Sequence, residues 1–444
     1  MTAANLQKVV ATVGQVDAVF FAGDLVNVPD RASEWFDDSR GGAFFPCLQG
    51  RAHYELEKNG VTTVYQGGEI IQPRPLFPAI GNHEVMGRFS RDLGLNDQFD
   101  NSFPRPQAAI YYEKYARELN PGGDPQIQAA WIKNHSFNTD TYEEIFTLPE
   151  SVSGGKRYYS ITFGDVWLGV LYVTNMWRSP NLEPSVRGRY QEREQDLKNP
   201  ENWGYGQHIF ESIAKGSAQY KGLEKELKNE AFKQAKYKTI MFHHPPHTLG
   251  GNIVPPYTDP VPRIEYAPDG TLQSVRYDYP QEKDYIMRDL MPLLESAGVQ
   301  FVFYGHSHLW NRFVSSGGMH FLESSNVGNT YGAHLGENKR LISTDNPKIK
   351  YAATGDPNGL EPIVPTIAPL IDENHQPLPY IASNDITVFS ILDTSNGAVS
   401  SYSFDTRQPE SAVVKFDEFK IYSISIWDVN IVLRKRQQAT GKRQ

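Results

Sequence analysis

The sequence holds one cysteine, Cys47, in 444 residues, so no internal disulfide can staple it and its stability has to come from packing. It has no apolar run approaching the roughly eighteen residues of a membrane-spanning helix. Residues 1–16 lack the basic start and apolar stretch of a signal peptide. Basic charge is in deficit: 43 Lys and Arg face 52 Asp and Glu, giving a net charge of −9. That balance speaks against a broad nucleic-acid surface and for a small, locally recognised partner. Internal repeats and low-complexity tracts are absent as well. Hydrophobic residues at 39%, with 24 Tyr and 23 Phe, supply a packed core and exclude a mainly disordered chain. Compartment stays open: periplasmic or secreted if an export signal lies upstream, cytoplasmic otherwise.

Residues 4–13 place Leu6, Val9, Val10 and Val13 at helical spacing and end at Gly14, after which 17–21 reads as a buried strand. Further strands are expected at 76–80, 158–163, 166–173, 238–242 and 299–304, with helices at 221–235 and 284–297. Beyond Gly305 the helical pattern fades, and 313–315, 319–323, 386–392 and 399–404 read as antiparallel strands. This alternation predicts a layered α/β fold. The expected organisation is one domain over 1–408, interrupted by insertions at about 85–150, 176–220, 245–282 and 326–384, and a C-terminal tail over 409–444. Long Pro-, Gly- and Tyr-rich stretches, including 28–74, are expected to be loops that shape function. The basic tail residues Arg434, Lys435, Arg436, Lys442 and Arg443 read as a solvated end.

Four segments share one grammar, an apolar strand followed at once by a metal-type side chain. They are Phe20-Phe21-Ala22-Gly23-Asp24, Ala79-Ile80-Gly81-Asn82-His83-Glu84, Ile240-Met241-Phe242-His243-His244-Pro245-Pro246-His247 and Phe303-Tyr304-Gly305-His306-Ser307-His308. Each alone is a common turn or strand end; together they can meet, because ligands bind at the carboxyl ends of strands in open α/β sheets. A carboxylate such as Asp24 can bridge two cations, Asn82 adds a neutral oxygen, and His243, His306 and His308 offer imidazole nitrogens. His83 is placed to donate a proton to a leaving oxygen.

These four motifs resemble the calcineurin-like metallophosphoesterase superfamily, and the Leu223-Glu224-Lys225-Glu226-Leu227 helix leading into His243 is similar to its purple acid phosphatase-like branch. The resemblance covers about residues 5–325. It implies an α/β sandwich of two mixed β-sheets flanked by helices. It also implies a dinuclear centre of divalent or mixed-valence transition metals (Fe, Mn, Zn or Co), in which Asp24 bridges, Asn82, His243 and His306 complete one site, and His308 belongs to the other. His83 is then the catalytic histidine.

Asn27 stands where purple acid phosphatases carry a metal-binding tyrosine, so the ferric-tyrosinate form is not expected, and no Asp-x-His occurs anywhere in the sequence. The family places such an aspartate on a strand before the helix at 4–13. The expectation is therefore a truncated start that leaves out the sheet's first strand, with one tight metal site at Asp24, Asn82, His243 and His306, His308 underused, and weak or no activity for the chain as given.

His244 and His247 read as supporting or substrate-facing residues. His53, His135, His208, His320, His334 and His375 match no motif, and Arg88, Arg105, Arg178 and Arg312 are phosphate-clamp candidates for each of which a surface role is expected. The function expected is hydrolysis of a small phosphate monoester by metal-activated water, with a phosphodiester or nucleotide as rival substrate. The competing class is a non-catalytic binding protein on the same fold.

Overall fold

The structure is a computed structural model that describes residues 1–37, 41–71, 73–85, 104–176, 179–251, 253, 256–342, 346 and 351–421. Arg88, Arg178 and the basic tail residues named above lie outside them.

A mixed seven-stranded sheet forms the centre, in the order Tyr380–Ile381, Trp310–Val314, His320–Ser324, Phe301–Tyr304, Tyr237–Met241, Val166–Val170, Tyr159–Phe163. Its four inner strands from His320–Ser324 to Val166–Val170 are mutually parallel, and the outer pairings are antiparallel. Every residue of Val166–Val170 is buried, as expected for a strand covered on both faces. Alternation divides the side chains between two cores. Trp167, Ile240 and Val302 pack under helical residues Leu223, Phe232, Ile286, Leu290 and Leu294. Leu168, Val170, Met241, Phe301 and Leu322 face Val388, Val399 and Phe416 of a second, three-stranded sheet. The expected α/β sandwich of two sheets flanked by helices is thus the observed architecture.

The short parallel pair Val19–Phe21 and Leu76–Pro78 closes on the same core through Ala22 and Phe77. The helix Thr2–Val13 lays Val9 against Ile70 and Phe389.

Four expectations are corrected. The helix expected over 221–235 is two, Ala218–Glu226 and Glu230–Gln234, because the Asn229 side chain accepts from Phe232 N at 2.7 Å and starts a new helix. The helix expected over 284–297 opens with a wide turn, Ile286–Leu290, before Met291–Ala297, since Pro292 lacks the N–H that Arg288 would need. The chain beyond 408 is not all tail: Val414–Lys420 pairs antiparallel with Ala398–Asp405 as the third strand of the second sheet. The long loops carry their own structure, including the helices Arg105–Leu119 and Pro125–Asn134 and the hairpin Tyr54–Lys58 with Val61–Tyr65. In that hairpin Asn59 and Gly60 turn at φ 53° and 76°, the two-residue turn suited to strand twist.

Candidate metal centre

Gly23 and Asp24 leave their strand with successive positive φ values, 89° and 56°. A non-glycine residue rarely takes that conformation unaided. Here it is held by the buried carboxylate of Glu84, which accepts from Asp24 N at 2.9 Å, Leu25 N at 2.7 Å and Gly81 N at 2.7 Å. One side chain thereby ties the Asp24 loop to the Asn82 loop. His83 N donates to Asp24 Oδ1 at 3.1 Å, which orients the carboxylate and leaves Oδ2 toward His243.

His243 Nδ1 lies 2.7 Å from the Ala22 carbonyl, so a proton there donates outward and Nε2 turns its lone pair inward. Around Nε2 stand Asn82 Oδ1 at 3.0 Å, His306 Nδ1 at 3.0 Å and Asp24 Oδ2 at 3.1 Å, and His306 Nδ1 is 3.0 Å from Asn82 Oδ1. Acceptor atoms crowd together this way only around a proton or a cation. Ligands at right angles on a cation with bonds of about 2.1 Å lie about 3 Å apart, so the donor set fits a transition metal. Asp24, His243 and His306 form the one His/Cys/Asp/Glu group of this kind among the described residues.

The electrostatics agree. Burial pushes Asp24 up, but the imidazoles of His243, His83 and His306 outweigh it and hold the carboxyl well below the usual carboxylate range. Burial, reinforced by His244 and His243, drives His306 far below the usual histidine value, keeping its nitrogen a lone-pair donor. Burial works against protonation of His243 too, yet Asp24 beside it raises its pKa. A bound cation would take the place of that proton.

His83 is half-buried, and its Nδ1 lies 2.8 Å from the Asn27 carbonyl, which directs Nε2 elsewhere. Asn27 thus meets the site through its backbone, while its side chain is exposed. His308 is outside the cluster of three: its Nδ1 lies 2.9 Å from Asn329 O, and its ring stacks on Tyr331 with centroids 4.9 Å apart. His247 is paired with the buried Asp356 at 2.7 Å. His244 packs against the His306 ring at 4.9 Å with both its ring nitrogens buried and unbonded, and burial lowers its pKa to about 3.

Arg312 is neither a surface group nor a phosphate clamp. It is buried and doubly bonded to Asp417 at 2.8 and 3.2 Å. Arg105 is spent on Ser136 and Phe137 O. His135 stacks on Trp131 and His320 on Phe419, structural roles in keeping with their lack of a motif. Glu84 closes one of the four motifs, and its role in holding two loops together appears only in the fold. Its spacing after Gly81 was the available signal; Asn329 and the Ala22 carbonyl carried none.

No curated protein gave a sequence match. Solved structures to which the chain is similar include a purple acid phosphatase isolated from yellow lupin (Lupinus luteus) seeds, 11% identical with a TM-score of 0.41, covering 95% of this chain and 49% of that one. PhoD is 13% identical with a TM-score of 0.33, covering 99% and 75%. GAP50, the anchor in the inner membrane complex of Plasmodium, is 11% identical with a TM-score of 0.32, covering 97% and 89%. This chain spans about half the length of the lupin protein. A family model described as calcineurin-like phosphoesterase matches residues 2–309, so the chain belongs to the calcineurin-like phosphoesterase family.

Proposed function

We propose that the protein hydrolyses a small phosphate monoester and that Asp24, Asn82, His243 and His306 hold a divalent transition metal for the purpose. The observation that carries this reading is the inward-facing His243 Nε2, with three further donor atoms 3.0 to 3.1 Å from it. When bound, the cation supplies Lewis acidity toward a phosphoryl oxygen and toward water. The protein's own part is orientation. Glu84 sets the two loops, and Asp24 keeps one oxygen on the His83 amide and the other in the donor set. His83, anchored through Nδ1, is left to offer a proton from Nε2 to the departing oxygen. His308 would help hold a second cation beside the first, which would make the centre dinuclear.

A second reading, a binding protein that keeps one metal without turnover, is favoured by the single His/Asp cluster among the described residues. Metal stoichiometry, measured with turnover of p-nitrophenyl phosphate, bis-p-nitrophenyl phosphate and nucleotides under Mn, Fe, Zn or Co, separates the two. Two metals with fastest turnover of the monoester support the proposal. One metal without turnover on any of these substrates sinks it. Among the described residues no helix is long and apolar enough to cross a membrane.

A further inference from the structure

We infer that Glu323, which belongs to none of the four motifs, is a positioning residue for both histidine loops and thereby for metal affinity; the inference rests on the metal site proposed above. Glu323 is fully buried on the His320–Ser324 strand, opposite Tyr304 on one side and Asn311 on the other. Its Oε1 accepts from Ser307 N at 2.7 Å and Ser325 Oγ at 3.1 Å. Its Oε2 accepts from Thr248 Oγ1 at 2.6 Å and Asn311 Nδ2 at 3.2 Å.

Ser307 is the residue between His306 and His308, and those two histidines have φ of 83° and 56°. Two left-handed non-glycine residues on either side of Ser307 are strained and persist only where the surroundings hold them. The Glu323 carboxylate is what holds the Ser307 amide between them. Its other oxygen reaches Thr248, at the end of the loop that begins with His243. That second link is doubled, since Tyr304 Oη donates to His247 O at 2.7 Å and Leu249 N donates to Asn311 Oδ1 at 2.7 Å. His243 Nε2 and His306 Nδ1 stand 3.0 Å apart because the loops behind them share this clamp.

All four partners of the carboxylate are donors. Two ionised oxygens accept four bonds; a glutamine amide would turn an NH2 toward two of those donors at unchanged volume. Burial raises the carboxyl to about 7 even though the four bonds favour the ionised form and offset part of that rise.

The test is calorimetric titration of metal-free wild type and Glu323→Gln with Mn2+, alongside the Tm of each metal-free protein. Loss of a group that orients metal ligands weakens affinity by about 10- to 100-fold, and that is the change expected for Glu323→Gln. Leu223→Ala, a cavity in the distant helical core, should lower the Tm and leave the Kd for Mn2+ unchanged. Should Glu323→Gln fail to fold, Thr248→Val removes one donor only and should weaken Mn2+ several-fold. A Kd within twofold of wild type in whichever variant folds overturns the inference alone. A wild-type protein that takes up no Mn2+ brings down the metal reading and the inference with it.

Discussion

Gly81 and Asp24 are packed so closely that a Cβ on Gly81 would lie 2.3 Å from Asp24 Oδ1 and 2.5 Å from Asp24 N. Neither atom can retreat, since Glu84 holds the amide and His83 N holds the oxygen. Gly81→Ala should therefore push Asp24 out of the donor set. We expect a stability loss of about 1–3 kcal/mol, the usual scale of overpacking. Uptake of Mn2+ should fall with it, measured by calorimetric titration; unchanged affinity would show that the Asp24 loop can move aside.

Asp24 and His83 should separate when mutated. Asp24→Ala removes a donor atom and should abolish metal loading and turnover together. His83→Ala leaves the four donor side chains in place, so metal content should persist while turnover drops by about 100-fold or more, the scale of general acid–base assistance. Metal analysis beside p-nitrophenyl phosphate kinetics reads both. Equal metal loss in the two variants contradicts the division.

Asp284 begins the 286–297 helical segment, with Oδ1 accepting from Ile286 N and Met287 N and Oδ2 from Tyr257 N. Burial nevertheless raises its carboxyl from 3.8 to about 6. The folded protein thus binds this proton more tightly than the unfolded chain. Asp284 costs nothing below pH 4, and its penalty grows as pH rises through 4 to 6. That penalty is on the order of 2–3 kcal/mol at about 1.4 kcal/mol per unit. Asp284→Asn keeps the helix cap and cannot ionise. Denaturant melts at pH 4 and pH 7 should show wild type losing stability relative to this variant at the higher pH; parallel curves would contradict it.

Arg312 and Asp417 form a buried, doubly bonded pair, and Asp417 Oδ1 also accepts from Thr366 N at 2.9 Å. Removing one partner strands a buried charge. Asp417→Ala should cost about 3–5 kcal/mol, whereas the double replacement Arg312→Met with Asp417→Leu should recover most of the loss. Urea unfolding of the single and double variants measures this. A double variant no more stable than Asp417→Ala would show that the bonds to Thr366 matter more than the charges.

The amino-acid sequence alone carries the layered architecture and the four strand-end motifs. Both are local signals: an apolar run such as Val166–Val170 has to be buried, and a Gly-Asp or Gly-His directly after such a run has to emerge at the sheet edge. It also identified Asp24, Asn82, His243 and His306 as candidate ligands, because residue type and strand-end position suffice for that. What lay beyond local reach was decided by the tertiary structure. The Asn229 cap divides a helix that periodicity reads as one, and the pairing of Val414–Lys420 puts a strand where the sequence reads as tail. Arg312 reads as a surface cation until Asp417, 105 residues away, is folded against it. Glu323 reads as an ordinary strand residue until Thr248 and Ser307 bring their donors to it from 75 and 16 residues away. A hydrogen-bond partner at such a distance leaves no pattern along the chain, since it depends on which strands become neighbours, and only the assembled sheet settles that.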